Sequence, residues 1–183
     1  MEVVDEIKLL GIVITIDLKW HKNTSYLCDK AYGRLWMLRN LRRLGALKSE
    51  LVDVYIKQCR SILELAVPVW AAGLTSDDVI SLERVQKTAF AIILGREYSG
   101  YEKALEQLGL GTLEARRVEL CTKFARKAAK NEKYKHWFVE CEIPTQNIKT
   151  RSMKNPTQYK QIKFITDRFR DSPLPYLTSL LNN

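Results

Sequence analysis

The sequence predicts a mainly α-helical fold with one short N-terminal β-strand and an irregular basic C-terminal arm. Apolar residues recur at helical spacing between capping residues over 21–140, a single β-branched run precedes them, and apolar content falls after Cys141. With 183 residues, 46% hydrophobic and 28% charged, the chain is long enough for one well-buried domain. We therefore divide it into a strand segment (1–20), a helical domain (21–140) and a basic arm (141–183) that ends in a short apolar anchor.

The strand is predicted for Leu9–Ile16, the only β-branched run in the sequence. Asp17 interrupts the run. Because nearly all of its residues are apolar, on both faces of the strand, we expect this strand to be buried.

The first helix is expected to begin at Asn23 or Thr24, since either side chain can cap exposed backbone donors. It should continue to Leu44, where Gly45 ends it. Residues at helical spacing define its core face: Leu27, Ala31, Leu35, Leu38 and Leu41.

Two further helices follow in the nearly neutral middle of the chain. Ser49 is the expected cap of one, which must end before Pro68 because proline lacks a backbone donor. Thr75 or Ser76 is the expected cap of the next, and Gly95 its stop.

The remaining helices are marked by glycine and threonine. A short helix fits Tyr101–Leu108 before Gly109, and Thr112 caps a long one that we expect to reach Phe138. Over 141–160 two prolines and few apolar residues predict an irregular, flexible segment.

Cysteine and histidine spacing predicts neither a disulfide framework nor a metal site. The four cysteines lie far apart and are expected to be reduced core thiols: Cys28, Cys59, Cys121 and Cys141. The N-terminal residues do not resemble a signal peptide and no uninterrupted apolar run is long enough to span a membrane, so we expect an intracellular protein of nucleus or cytoplasm without membrane binding.

A formal net charge of +9 favours an anionic partner, and its distribution favours nucleic acid. Two helices carry the candidate phosphate-binding residues. The first set is Lys30, Arg34, Arg39, Arg42 and Arg43, interleaved with Tyr32 and Trp36. The second is Arg116, Arg117, Lys123 and Lys127, with Arg126 and Lys130 nearby. A solvated charged face is the alternative for each set.

Aromatic side chains can stack on bases, but their neighbours predict another role here. Trp36 and Trp70 lie among apolar residues and are expected to be buried, while Trp137 is left open between packing and stacking.

Several segments together resemble non-LTR (LINE-like) retrotransposon reverse transcriptases downstream of their catalytic palm. Lys8-Leu9-Leu10-Gly11-Ile12 resembles the primer-grip strand, with Leu9 in place of the usual aromatic. Glu64-Leu65-Ala66-Val67-Pro68-Val69-Trp70 is similar to the family's Glu-Tyr-Ala-x-Pro-Val-Trp. Leu82-Glu83-Arg84-Val85-Gln86-Lys87 is similar to its Leu-Glu-x-Val-Gln-Lys, and the block that begins at Tyr101 follows in register.

The resemblance implies a thumb-like helical bundle that holds a primer-template duplex of RNA or DNA by backbone contacts, next to the upstream palm and fingers. The family's catalytic Asp-Asp pair, which binds Mg²⁺, belongs to that palm, so no catalytic residue, no metal ligand and no cofactor is expected in this chain. Asp77 and Asp78 stand at a helix start, where they favour the positive end of its dipole. Alone, the chain is not expected to polymerise. The alternative is a helical protein-interaction or scaffold module, or a relic reading frame.

Overall fold

The computed structural model describes residues 4–141 and 158–182. Most of these residues are helical, and their β-structure consists of one short hairpin and an isolated bridge. The mainly α-helical fold with an N-terminal strand is therefore confirmed. The chain divides into two compact units, one formed by Met1–Val67 and Gly73–Arg117, the other by Pro68–Ala72 and Val118–Asn183.

The N-terminal strand is half of a hairpin. Strands β1 (Glu6–Leu9) and β2 (Ile12–Thr15) pair antiparallel. The turn between them holds both Leu10 and Gly11 at positive φ, 47° and 86°, as a type I′ turn requires. The expectation of one continuous buried strand over Leu9–Ile16 is therefore wrong: a turn divides the run, β2 is largely buried, and β1 is exposed.

Helix α1 (His21–Arg43) follows the hairpin. The prediction that Asn23 or Thr24 caps this helix is wrong. Both residues lie buried within its first turn. The side-chain carbonyl of Asn23 accepts a 3.1 Å hydrogen bond from the backbone N–H of Val13 and so joins β2 to the helix. The predicted stop is confirmed, since Gly45 takes φ 86° and the next amide closes a Schellman motif.

The second predicted helix is composite. It runs without a break through α2 (Lys48–Val54), a π-helical stretch (Tyr55–Arg60) and α3 (Ser61–Leu63). Ser49 lies inside the first turn and is not its cap. The carboxylate of Glu50 instead accepts, at 2.8 Å, the backbone N–H of the residue that precedes the helix.

The expected end before Pro68 is confirmed. Ala66 takes φ 50°, and the short helix α4 (Val67–Trp70) then begins with Pro68 in its first turn, where the missing N–H has no consequence. A 3₁₀ turn (Ala71–Gly73) follows.

Helices α5 (Ser76–Leu94) and α6 (Tyr101–Leu108) have the predicted boundaries. Thr75 caps α5 by accepting the amide of the third helical residue at 3.2 Å. Gly95, at φ 59°, ends α5, and Gly109, at φ 63°, ends α6.

The core of the first unit lies where α1 and α5 pack along each other with the composite helix and α6 beside them. Tyr55 and Phe90 meet edge to face at its centre, with ring centroids 5.6 Å apart. The buried residues of this cluster are Leu35, Leu38, Leu51, Tyr55, Cys59, Ala89, Phe90, Ile93, Leu94 and Ala104.

Helix α7 (Leu113–Ala129) begins at its predicted cap, because the hydroxyl of Thr112 accepts the backbone N–H of the third helical residue at 3.1 Å. The prediction that this helix reaches Phe138 is wrong, since it ends at Ala129. Asn131 turns the chain by accepting a backbone N–H two residues on, a local bond that competes with helix continuation, and a 3₁₀ turn (Lys135–Trp137) follows.

The expected flexible segment falls mainly on residues 142–157, which lie outside the described residues. The two residues that flank this range are hydrogen-bonded: the backbone N–H of Cys141 donates to the carbonyl of Gln158 at 2.7 Å.

The C-terminal residues of the second unit form α8 (Asp167–Arg170) and α9 (Pro173–Asn182). The side chain of Asn182 exchanges two 2.8 Å hydrogen bonds with the backbone of Tyr159, one donated and one accepted. Residues of α9 on one face are buried: Pro175, Leu177, Thr178 and Leu181.

Candidate nucleic-acid interface

A basic groove lies at the C-terminal end of α1, beside α5. Its volume is about 660 Å³, and it is lined by Arg39, Arg42 and Arg43 of α1 and by Thr88, Ala91 and Ile92 of α5. The groove forms because the apolar faces of the two helices meet below it, while the arginines extend from the rim of the contact. The structure therefore brings together three of the five residues predicted on α1.

The arginines of this groove have no acidic partner in the part of the chain that the structure describes. Within 4–141 and 158–182, no carboxylate forms an ion pair with Arg39, Arg42 or Arg43. Other cations of the same unit are paired, as Lys22 is with Glu6 at 2.6 Å. A planar guanidinium presents a rigid fork of donors that matches a phosphate, so three unpaired ones at one groove form a ready anion-binding surface.

Lys30 and Arg34 lie on α1 outside this groove. The ammonium groups of Lys30 and Lys8 lie 5.1 and 4.4 Å from the ring centroid of Tyr26. These two cations, Lys8 first, lower the pKa of the Tyr26 hydroxyl. Lys30 is thus already engaged, whereas Arg34 is exposed and near Cys59.

The second predicted set, on α7, is mostly engaged within the protein. Arg116 donates to Glu64 at 3.0 Å, and Arg117 is buried. Lys123 forms an ion pair of 2.5 Å with Glu119, one helical turn away. Lys127 is exposed. These residues offer less unpaired charge to a ligand than the groove on α1.

The tryptophans differ from expectation in one case. Trp70 is fully buried, as predicted. Trp36 is not: 67% of it is exposed, because the core face of α1 is turned away from it. Tyr32, one turn earlier, is 39% exposed. Trp137 contacts the ring of Tyr134 at a centroid distance of 4.9 Å. Sequence reasoning misplaced Trp36 because its neighbours are apolar, although its position opposite Leu38 on the helix indicated the solvent side.

A buried amide joins several helices of the first unit. Gln86 is buried in α5 and accepts a 2.5 Å hydrogen bond from the hydroxyl of Tyr55. Its amide nitrogen donates to the hydroxyl of Tyr101 at 2.8 Å and to the carbonyl of Gly111 at 3.0 Å. One side chain thereby ties the composite helix, α6 and the start of α7 to α5.

Glu83, one turn before Gln86, completes this network. Its carboxylate accepts from the hydroxyl of Tyr101 and, at 2.9 Å, from the backbone N–H of Glu114. Burial raises the pKa of Tyr101, and the bond to Glu83 raises it further. Glu83 and Gln86 thus hold these helices together, and this role needs no ligand.

Asp78, the second of the two adjacent aspartates, has a structural role. Asp78 is buried in the first turn of α5, where its carboxylate accepts the backbone N–H and hydroxyl of Thr75 at 3.1 and 2.7 Å. It also contacts the ring Nδ1 of His21 at 3.0 Å. In the described part of the chain, no group of three or more His, Cys, Asp or Glu side chains is arranged to hold a metal ion.

Comparison of the chain with protein-family models, with curated proteins and with solved structures finds no match. Among the described helices, none combines the length and apolar character needed to cross a bilayer.

Proposed function

We propose that this chain is a non-catalytic nucleic-acid-binding module, the thumb-like segment that follows the palm in a non-LTR retrotransposon reverse transcriptase. It holds a primer-template duplex through phosphate contacts. The observation that carries the proposal is the groove in which Arg39, Arg42 and Arg43 stand together without acidic partners among the described residues.

The groove favours backbone contact over sequence recognition. Arg39, Arg42 and Arg43 extend from one helix end, so they meet a ligand as a fixed charged surface. The α5 side of the groove offers Thr88 and two apolar side chains, a poor set of donors and acceptors for reading base edges. Binding is therefore expected to vary little with sequence.

A salt titration tests the proposal. Neutralising three phosphates releases counterions, so affinity for B-form duplex should fall about 40-fold between roughly 50 and 200 mM salt. Replacing Arg39, Arg42 and Arg43 together by Gln keeps helix propensity and removes the three charges. The slope of log Kd against log salt should then decrease by about 2.7, as measured by fluorescence anisotropy with labelled DNA duplex.

A matched variant controls for net charge. Lys19, Arg84 and Lys103 are exposed and lie outside the groove, so their replacement by Gln removes the same charge at other places. This variant should keep most of the parent's salt slope. Equal binding by the groove variant and the parent at every salt concentration, with unchanged helical circular dichroism, would reject the groove as the contact surface.

A second candidate function, a protein-interaction module, is favoured by the hairpin. Ile7, Leu9 and Leu10 are each more than half exposed on β1 and its turn. β1 is also an edge strand of a two-stranded sheet, which is marginal without further packing. Binding of protein without any salt-sensitive binding of nucleic acid would favour this candidate.

A further inference from the structure

Two aromatic side chains on the solvent face of α1 stand in line with two arginines of the groove. Tyr32, Trp36, Arg39 and Arg43 are separated by four, three and four residues, which places them on one face of a helix. All four are exposed, and two thirds of Trp36 is accessible. We call these four residues the aromatic-basic stripe.

The aromatic side chains of the stripe are not among the buried residues of α1. The buried face of α1 consists of other residues, among them Leu35 and Leu38. An exposed Trp beside Tyr presents two π faces to a ligand, and each base of a nucleic acid has a π face to stack on them. Neighbouring guanidinium groups add charge for the phosphates that connect such bases.

We infer that Trp36 and Tyr32 stack on unpaired bases while Arg39 and Arg43 hold the adjacent phosphates. The ligand is then a nucleic acid in which a single-stranded segment adjoins the duplex. This inference rests on the proposed function and specifies its ligand.

Charge complementarity selects this occupant over a second copy of the chain. A contact between two copies of the stripe would gather four guanidinium groups in one interface, and this excess of like charge disfavours it. Asp29 is the acidic residue near the stripe. It lies about one turn before Tyr32 and two turns before Trp36, at the opposite end from the arginines. A single-stranded segment instead supplies negative phosphates and stacking surfaces together.

Three DNA ligands that share one duplex sequence test the inference with the full chain. One is blunt, one carries a single-stranded overhang, and one carries an overhang of the same length made of abasic nucleotides. Stacking on an aromatic side chain strengthens binding by about 5-fold or more per base. The parent should therefore prefer the overhang to the blunt duplex by at least that factor, while the abasic overhang, which keeps its phosphates, should lose most of the preference.

Variants of Trp36 test whether its ring causes the preference for the overhang. Trp36→Gln should abolish the preference for the overhang and leave binding of blunt duplex nearly unchanged, and Trp36→Phe should retain most of the preference because a ring remains. Ile165→Gln removes a fully exposed apolar side chain elsewhere and should change neither. Since Trp36 is on the surface, these replacements should leave circular dichroism and the unfolding midpoint unchanged.

The outcomes separate the inference from the proposed function. Salt-sensitive binding of blunt duplex with no preference for the overhang, or a preference that persists in Trp36→Gln, overturns the inference and leaves the function standing. Absence of binding to all three ligands overturns both. A dimer in sedimentation that becomes a monomer in Trp36→Gln also overturns the inference, because it assigns the stripe to contact between two copies.

Discussion

The guanidinium of Arg42 occupies the space in which a side chain on Gly95 would begin. A Cβ built on Gly95 would lie 1.5 Å from Nη2 of Arg42. Gly95 ends α5, whose last carbonyls give this end a partial negative charge that attracts a cation. The end of α5 thus helps to place one of the three groove arginines, and the lack of a side chain at Gly95 makes this placement possible.

Replacement of Gly95 by Ala is expected to destabilise the protein by about 1 to 3 kcal/mol. Gly95 has φ 59° and ψ −117°, a conformation that is strained for any L-residue, and the new methyl group must also displace Arg42. Urea unfolding measures the change. Gly33→Ala is the control: Gly33 lies within α1, where a Cβ would meet nothing within 4 Å, so this change should stabilise by about 0.5 to 1 kcal/mol. Equal effects of the two substitutions would contradict the prediction.

Replacement of Gln86 by Leu should cost about 1 to 3 kcal/mol, because it leaves the buried hydroxyl of Tyr55 without its acceptor. A double-mutant cycle with Tyr55→Phe tests this cause. The combined variant should be less destabilised than the sum of the single variants, by about 0.5 to 3 kcal/mol. Arg84→Gln, on the exposed side of the same helix, should change stability by less than about 0.5 kcal/mol. Strict additivity in the cycle would show that the hydrogen bond contributes nothing.

Thiol labelling of the native protein should modify one cysteine. Cys141 is exposed, whereas Cys28, Cys59 and Cys121 are buried. Burial also raises the pKa of Cys28 and of Cys59 to about 11, so neither forms the reactive thiolate near neutral pH. A colorimetric disulfide reagent should react rapidly with one thiol per chain, and with none in Cys141→Ser. Rapid reaction of a second thiol at neutral pH would show that a core helix opens readily.

The same thiols predict a loss of stability at alkaline pH. Their folded pKa of about 11 exceeds the ordinary value of 9.0, so above pH 9 the folded protein retains protons that the unfolded chain has lost. Their contribution is complete below pH 9 and is lost as pH rises towards 11. The free energy of unfolding should fall by about 1 to 3 kcal/mol between pH 8 and pH 10. Denaturant titrations at several pH values measure this decrease in the parent and in a Cys28→Ala, Cys59→Ala variant. The slope of the free energy of unfolding against pH should be smaller in the variant. Matching slopes would exclude the thiols as the cause.

Local signals in the sequence predicted most helix boundaries correctly. Thr75 and Thr112 cap helices as expected, and Gly45, Gly95 and Gly109 end them, because capping hydrogen bonds and positive φ involve only a few neighbouring residues. One error arose because a side chain has a partner on another element. Asn23 has the chemistry of a cap, but its carbonyl binds the backbone of β2, ten residues earlier.

The candidate site was predicted in composition but not in arrangement. Sequence identified nine basic residues on two helices, yet it could not separate Arg39 from Arg116, since pairing with Glu64, 52 residues away, depends on the packing of the helices. Trp36 was misplaced for a different reason, because its apolar neighbours were given more weight than its position opposite the core face of α1.

The sequence by itself determined the helical class, the caps and stops, and the excess of positive charge, because these depend on residue type and on spacing within a few turns. Only the tertiary structure decided which charges meet a partner from another helix. Arg42 beside Gly95 and Gln86 between Tyr55 and Tyr101 are contacts between residues distant in the chain. Their partners are selected by the way the helices pack, and helical spacing carries no record of that choice.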